Sequence, residues 1–190
     1  MQIISGRERG RRLFLPGGAR PTQNKARIAL FNMLENILRV TNHKSRITVW
    51  DAFAGSGAFG VEFLSRYRNA SVIFTDISAD SFKTINKNVA DMPGATIEMT
   101  DALNAVKRHG AAADIVFIDP PYSSHDLGIS LVRKLAQIAR PGTIIVWEME
   151  NTAAPVFSEE LWAVLRDKTY GRARFIILER KVAHLPAGGE

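Results

Sequence analysis

The chain has 190 residues, of which 46% are hydrophobic, the usual share for a globular domain with a buried core. It has no cysteine, which excludes disulfide scaffolds, thiolate zinc sites and cysteine nucleophiles and fits the reducing conditions of the cytoplasm. The net charge of +6 favours polyanionic partners, and no apolar run approaches the roughly 20 residues of a membrane-spanning helix, so we expect a cytoplasmic protein without a membrane partner.

The first twenty residues combine basic side chains with glycines and two short apolar pieces. Ile3-Ile4 and Leu13-Phe14-Leu15 flank a middle rich in glycine and arginine, which predicts a small hairpin or an extended arm. The first thirty residues have a single acid, Glu8, and seven basic residues: Arg7, Arg9, Arg11, Arg12, Arg20, Lys25 and Arg27. A basic segment spaced by glycines is typical of an arm that contacts phosphates.

The next segments alternate between helical and strand patterns. A helix is expected to open at Pro21-Thr22, because apolar residues recur at steps of three and four from Ile28 to Leu38. Short apolar strands are expected at Ile47–Trp50, Val72–Thr75, Ala95–Met99, Ile115–Ile118, Thr143–Trp147 and Arg174–Leu178. Further helices are expected at Val61–Arg66, around Phe82 to Val89, at Leu127–Ala139 and around Glu159–Leu165.

This alternation predicts an α/β fold, with a mostly parallel sheet and helices on both faces. We expect a basic arm or hairpin at residues 1–20, the main domain at 21–180 and a frayed tail at 181–190. Several predicted strands end at an acid: Asp51, Asp76 and Asp119, with Asp101 close to the third strand. Because ligands of such sheets bind beyond the carboxyl ends of the strands, these acids predict a ligand with several hydrogen-bond donors.

A glycine-rich loop follows the first strand, and Asp51 stands directly before it. Its glycines Gly55, Gly57 and Gly60 match the G-x-G-x-x-G pattern that binds pyrophosphate in dinucleotide folds. A carboxylate at Asp51 would repel a pyrophosphate but suits the ammonium group of an amino-acid ligand. S-adenosylmethionine carries an ammonium and a sulfonium but no phosphate, so the motif favours this methyl donor over a nicotinamide cofactor.

Two further acids have both a ligand-binding and a structural interpretation. Asp76 can accept hydrogen bonds from both hydroxyls of a ribose, or it can cap the helix that begins near Ser78. Asp101 can accept a hydrogen bond from an adenine amino group, or it can cap the turn that follows it.

The quartet Asp119-Pro120-Pro121-Tyr122 follows the fourth strand and has the chemistry of an amine-methylating site. An exocyclic base amine is a poor nucleophile, because its lone pair is delocalised into the ring. The Asp119 carboxylate and the Pro120 carbonyl can accept its two N–H bonds and favour a pyramidal, more nucleophilic nitrogen. Tyr122 can stack on the flipped base, which is worth roughly 1–3 kcal/mol.

These two motifs, in this order and separation, resemble those of class I methyltransferases that modify amino groups. The N-terminal region extends the resemblance to the bacterial RsmD family, the guanine-N2 methyltransferases of small-subunit ribosomal RNA. The residues that carry it are Ile3-Ile4-Ser5-Gly6, Gly10-Arg11-Arg12-Leu13, Arg20-Pro21-Thr22, Arg27 and Leu30-Phe31-Asn32. The resemblance spans roughly residues 1–180.

The resemblance implies a Rossmann-like sheet of seven strands with an antiparallel final strand and S-adenosylmethionine as donor. It also implies 16S ribosomal RNA as substrate, within an assembled or nearly assembled 30S particle. With the motifs above, it gives a catalytic set of Asp119, Pro120 and Tyr122. The cofactor-binding set is Asp51, Phe53, Gly55, Ser56, Gly57, Asp76, Ile77, Asp101 and Ala102. The RNA-binding set is Arg7, Arg11, Arg12, Arg20, Thr22 and Arg27.

The chain departs from the family pattern at two places. The family usually has Asp-Arg-Val-Arg-Glu where this chain has Asn24-Lys25-Ala26-Arg27-Ile28, and a glutamate where this chain has Asp76. The first departure concerns contacts to RNA, and the second concerns a shorter carboxylate at the ribose position.

Three other functions stay open at this point. An adenine-N6 methyltransferase can carry the same quartet, although 190 residues leave little room for a target-recognition domain. A nicotinamide-dependent oxidoreductase is disfavoured by Asp51 and gives the quartet no purpose. A non-catalytic RNA-binding or ribosome-assembly protein would keep the fold alone. The four scattered histidines have no metal-ligand spacing, so no metal is assigned, and a monomer is expected.

Overall fold

The computed structural model describes residues 1–17, 24–40 and 46–182. Its strands are β1 Ile47–Asp51, β2 Ala70–Asp76, β3 Ala95–Met99, β4 Ile115–Ile118, β5 Ile144–Glu150, β6 Trp162–Tyr170 and β7 Ala173–Arg180. They form one seven-stranded sheet in the order β3-β2-β1-β4-β5-β7-β6. Strands β1 to β5 pair in parallel, and β7 is antiparallel to β5 and β6. The predicted α/β fold, with its mostly parallel sheet and antiparallel final strand, is confirmed.

Helices cover both faces of this sheet. They are α1 Asn24–Val40, α2 Ala58–Arg66, α3 Ala79–Val89, α4 Ala102–His109 and α5 His125–Ile138. Successive residues of a strand point to opposite faces, so Val49 packs with α1, α2 and α3, whereas Trp50 packs with α4 and α5. The buried tryptophans Trp50, Trp147 and Trp162 all belong to this second cluster. In the part of the chain that the structure describes, no helix is long and apolar enough to cross a membrane.

Residues 1–17, which we call the N-terminal hairpin, fold back on themselves and dock on α2. The Ile3 amide donates to the Arg11 carbonyl at 3.0 Å, and the Leu13 amide donates to the Met1 carbonyl at 2.9 Å. Ile3 and Leu13 are buried in the same apolar cluster as the sheet. The hairpin is therefore packed against the main core, with its position set by buried side chains.

Gly6 explains how the hairpin approaches α2 so closely. Its φ of 86° is a conformation that L residues rarely adopt, and a Cβ at this position would overlap the Ser65 carbonyl. The next amide, Arg7 N–H, donates to that carbonyl at 2.9 Å. The Ser5-Gly6-Arg7 stretch of the sequence is thus a docking segment against the end of α2.

Two predictions about elements were wrong or incomplete. The helix expected around Glu159–Leu165 does not form, and strand β6 begins at Trp162. Trp162 is buried, while Val164, on the same side of the strand, is half exposed, so this side of β6 is covered only where the strand begins. The partner that settles this choice is β7, which pairs with β6 along its whole length. Helix α4 was not predicted at all.

Candidate active site

The glycine loop, residues 52–57, connects β1 to α2 at the carboxyl edge of the sheet. Gly55 and Gly57 adopt positive φ angles of 54° and 74°, which glycine tolerates without strain. The loop is anchored by Ala54 N–H, which donates to the Thr75 carbonyl of β2 at 3.0 Å. A Cβ at Gly55 would meet nothing within 4 Å, so this face of the loop is open to a ligand.

Asp51 lies at the end of β1 beneath this loop and is only 1% exposed. Its Oδ2 accepts a hydrogen bond from Gly60 N–H at 3.2 Å, whereas its Oδ1 is buried without a partner. Burial raises the pKa of Asp51 to about 7, and the nearby Asp76 carboxylate also raises it. A buried carboxylate oxygen without a donor is costly, and a ligand ammonium would supply the missing charge and hydrogen bond.

Asp76 joins the glycine loop to the end of β2. Its Oδ2 accepts from Gly55 N–H at 2.8 Å, and its Oδ1 accepts from Ser78 N–H at 2.8 Å. The carboxylate therefore holds the loop in place, and each oxygen retains a lone pair that can accept a ligand hydroxyl. The Ser78 side chain itself caps α3 by accepting from Ser81 N–H, so the capping role does not fall to Asp76.

The side chains beside Asp76 are apolar and exposed. Ile77 is 72% exposed, and Met99, which pairs with Asp76 across β2 and β3, is 58% exposed. Asp101 follows β3 and caps α4 through one oxygen, which accepts from Leu103 and Asn104 N–H. An apolar surface next to two carboxylates has the composition needed for the flat face and the polar edge of a nucleoside.

Asp119 directly follows β4, the strand next to β1, and is half-buried. Desolvation raises the pKa of Asp119 well above its ordinary range, and the carboxylates of Glu148 and Asp51 raise it further. Pro120 behind it is buried, while Pro121 is exposed. The quartet thus presents an acceptor at the same sheet edge as the Asp51 carboxylate.

Tyr122 begins a short 3-10 turn, Tyr122–Ser124, directly after the two prolines. Its ring is half-exposed, and the Arg172 guanidinium lies 5.6 Å from the ring centroid. Arg172 is held in turn by Glu150, whose Oε1 accepts its Nε–H at 2.7 Å. Burial and the surrounding acids raise the pKa of Tyr122, so the phenol stays neutral and its ring is available for stacking.

Glu148 is a site residue that the sequence interpretation missed. It lies in β5 and is 4% exposed, one residue beyond the Trp147 that pairs with Ile118. This register places Glu148 beside Asp119, and its charge acts on both Asp119 and Tyr122. The signal was present in the sequence, because Glu148 follows an apolar run in the same way as Asp51 and Asp119 do.

The predicted RNA contacts separate into exposed and buried residues. Arg7 and Arg12 are exposed on the N-terminal hairpin, and Arg11 is half-buried beside Glu8. Arg27 was predicted wrongly as a surface contact, because it is 5% exposed and pairs with the fully buried Glu62 at 3.3 Å. The remaining candidates, Arg20 and Thr22, lie outside the described residues.

Metal coordination finds no support in the described ranges. Within residues 1–17, 24–40 and 46–182, no group of three or more histidines and acids has the arrangement of a metal site. His125, near the quartet, instead stacks on Trp147 and contacts the Ala154 carbonyl at 3.0 Å.

The sheet order and the acids at its carboxyl edge define the fold of a class I, Rossmann-like methyltransferase. The solved structure of yhhF from Escherichia coli superposes with a TM-score of 0.80 at 28% identity, covering 96% of this chain and 99% of that one. The structure of the rRNA methyltransferase aviRa from Streptomyces viridochromogenes has the same fold, with a TM-score of 0.68 at 18% identity over 88% of each chain.

The sequence comparisons identify the family. The model of the family described as conserved hypothetical protein 95 matches residues 1–179. Ribosomal RNA small subunit methyltransferase D of Escherichia coli K12 is 32% identical over 188 residues, which cover 95% of this chain and 90% of the relative. The Haemophilus influenzae protein of the same name is 30% identical and covers 90% of this chain and 89% of that relative. The chain belongs to this family, the RsmD family of methyltransferases.

Proposed function

We propose that the protein transfers a methyl group from S-adenosylmethionine to the exocyclic N2 amino group of a guanine in 16S ribosomal RNA. The observation that carries the proposal is a pair of carboxyl groups at the ends of two adjacent strands: Asp51, whose Oδ1 is buried without a partner, and Asp119, whose pKa is raised by burial. The first calls for a cationic ligand, and the second offers an acceptor to an amine at the same edge of the sheet.

The residues of the glycine loop and its neighbours suit S-adenosylmethionine, which supplies an electrophilic methyl group when bound. Asp51 Oδ1 would accept from the ammonium group, while Gly55, Ser56 and Gly57 allow close approach of the ligand to the backbone. Asp76 would accept from the ribose hydroxyls. The remaining candidate contacts to the cofactor are assigned only from their positions in the sequence. They are Phe53, Ile77, Asp101 and Ala102.

The Asp119 quartet would bind the acceptor base. The Asp119 carboxylate and the Pro120 carbonyl would accept the two N–H groups of the amine and hold its lone pair in the direction of transfer. Burial raises the pKa of Asp119, and its ionised form is the stronger acceptor for an N–H bond. Tyr122, backed by Arg172, would stack on the flipped base.

The choice of ribosomal RNA rests on the relatives, which carry the name ribosomal RNA small subunit methyltransferase D. The exposed Arg7 and Arg12 of the N-terminal hairpin provide cations for RNA phosphates. We propose that a monomer acts in the cytoplasm on an assembled or nearly assembled 30S particle, where the target guanine has its final surroundings.

The test uses purified protein, labelled S-adenosylmethionine and small ribosomal subunits from cells that lack the enzyme. After the reaction, the RNA is digested and the labelled nucleoside is identified by chromatography and mass spectrometry. We expect N2-methylguanosine. Label in N6-methyladenosine would overturn the choice of base, and absence of label with both free RNA and subunits would overturn the enzymatic proposal.

A further inference from the structure

Asn88 connects two parts of the molecule that the proposed reaction needs at the same time. It lies in the last turn of α3, and its side chain is only 1% exposed. Its amide group makes three hydrogen bonds outside its own helix, two to the N-terminal hairpin and one to the glycine loop. The cofactor and RNA interpretations of the sequence included no role for it.

On the hairpin side, Asn88 binds both polar groups of one backbone residue. Its Oδ1 accepts from Phe14 N–H at 2.8 Å, and its Nδ2 donates to the Phe14 carbonyl at 3.0 Å. A second contact on the same helix, from Gly17 N–H to Asp80 Oδ2 at 2.7 Å, fixes the chain three residues further on. The exit of the N-terminal hairpin is therefore fastened along α3.

On the other side, the second Nδ2 hydrogen of Asn88 bonds the Ser56 carbonyl at 2.8 Å. Ser56 lies between Gly55 and Gly57, the two loop residues with positive φ angles. Its carbonyl belongs to the peptide unit that leads into Gly57, so the hydrogen bond fixes the orientation of that peptide. The orientation of the Asn88 amide is set by its partners, because one is a donor and two are acceptors.

We infer that Asn88 is a positioning residue that couples RNA contact by the N-terminal hairpin to the conformation of the glycine loop. The inference rests on the proposed function, since it requires that the hairpin contacts RNA and the loop binds the methyl donor. Arg12 is only two residues before Phe14, so a phosphate bound there restrains the backbone that Asn88 holds. The restrained amide then favours one orientation of the Ser56 peptide.

By linkage, each ligand must strengthen the binding of the other by the same factor. The loss of one neutral hydrogen bond changes an equilibrium by about three- to tenfold, which sets the size of the expected coupling. Because of this coupling, the protein would bind the methyl donor more tightly when it is bound to the substrate particle than when it is free.

The experiment measures the affinity for S-adenosylhomocysteine, which does not react, by equilibrium dialysis with and without saturating small ribosomal subunits. In the wild-type protein we expect about three- to tenfold tighter binding when subunits are present. In Asn88→Asp the side chain keeps its size and its acceptor for Phe14 N–H, but it loses both donors, to the Phe14 and Ser56 carbonyls. We expect its two affinities to be equal.

Asn86→Ala is the matched control. Asn86 is on the same helix but exposed, and its side chain donates a hydrogen bond to the Phe82 carbonyl within α3. It should retain the wild-type ratio of affinities. A second readout, the melting temperature of each variant, records any purely structural effect.

Several outcomes overturn the inference. One is an Asn88→Asp variant that is less stable but keeps the wild-type ratio, since this is the result of a structural role alone. Another is a wild-type protein that binds both ligands with a ratio of one, whatever the variants do. Failure of the proposed function has a different signature, because the wild-type protein would then bind no S-adenosylhomocysteine or no subunits.

Discussion

The protein has buried carboxylates in two regions, and the two regions differ in the hydrogen-bond and ionic partners that these carboxylates have. Glu62 on α2 is fully buried and accepts four hydrogen bonds, from the amides of Ile4 and Ser5 and from the guanidinium groups of Arg27 and Arg66. At the carboxyl edge of the sheet, Asp51 is also buried but has one oxygen without a partner. The first carboxylate is neutralised by the protein itself, and the second is not.

The difference separates a structural carboxylate from a ligand-binding one. Two guanidinium groups and two amides offset the free-energy cost of removing the Glu62 carboxylate from water. The same hydrogen bonds join the N-terminal hairpin, α1 and α2. Among the described residues no guanidinium group pairs with Asp51 or Asp119, and burial therefore raises the pKa of each of these carboxyl groups. Both regions contain carboxylates removed from water, and their partners distinguish them. Variants of each region should therefore have opposite effects on stability and on binding.

The largest effect on stability is expected for Glu62→Ala. The variant leaves the 5%-exposed Arg27 without its counter-charge and the Ile4 and Ser5 amides without their acceptor. We expect the free energy of unfolding to fall by about 3–5 kcal/mol, as for other broken buried pairs, measured by urea denaturation. Glu35→Ala removes the half-exposed partner of Arg66 and should cost less than about 1 kcal/mol. Equal losses in the two variants would contradict the structural role of Glu62.

Asp119→Ala should have the largest effect on activity. Removal of a preorganised hydrogen-bond partner of the reacting group lowers kcat by about 10²- to 10³-fold in comparable enzymes. The affinity for S-adenosylhomocysteine should stay within about twofold of wild type, because Asp119 is assigned to the base and not to the methyl donor. Asp91→Ala, at an 88%-exposed side chain, is the control. Unchanged methylation in Asp119→Ala would refute the assignment.

Asp51→Asn should stabilise the ligand-free protein above neutral pH. The pKa of Asp51 is about 7 in the native state against an ordinary value of 3.8, so the native state binds this proton more tightly than the unfolded chain does. The Asp51 contribution therefore disfavours folding increasingly as pH rises through this window. Asparagine removes the penalty, and we expect a gain on the order of 2 kcal/mol at pH 8 and almost none near pH 4. Thermal unfolding at both pH values tests this, and a loss of stability at pH 8 would contradict it.

The affinity of the wild-type protein for S-adenosylhomocysteine should depend on the same proton. The ammonium group binds the ionised carboxylate, so ligand binding lowers the pKa of Asp51 and releases a proton. Between pH 8 and pH 6 the affinity should fall by about tenfold. Calorimetry at several pH values measures it, with Asp51→Asn as the control that binds weakly and without this slope. If the affinity of the wild-type protein did not change with pH, Asp51 would not be the group that binds the ligand ammonium.

The smallest effect is expected for Glu148→Gln. The Glu148 charge raises the pKa of Asp119, so its removal lowers that pKa and extends activity to lower pH. The acidic limb of kcat/KM should move down by about one pH unit or less. Glu160→Gln, at an exposed acid, should leave the limb in place. A limb that moves to higher pH would show that Glu148 acts on Asp119 by something other than its charge.

Local sequence patterns were sufficient for most of the elements and for the acids of the site. Strand ends at Asp51, Asp76 and Asp119 were predicted because an apolar run stops at a polar residue, and this is a property of neighbouring residues. The same reasoning failed for residues 159–165, where a short apolar stretch fits a helix or a strand equally well. Pairing with β7 decides in favour of β6, because the two strands form a hairpin in which Trp162 lies opposite Arg180, 18 residues further along the chain.

The amino-acid sequence by itself determined the fold class, the glycine loop, the Asp119 quartet and the family, because each depends on residue type at short spacing. Tertiary structure alone decided which charges are compensated. Arg27 belongs to the interior because Glu62 lies 35 residues away in sequence and beside it in space. Asn88 joins Phe14, 74 residues distant, to Ser56, 32 residues distant. Compensation of a buried polar group depends on distances in space, which the spacing of residues along a chain does not contain.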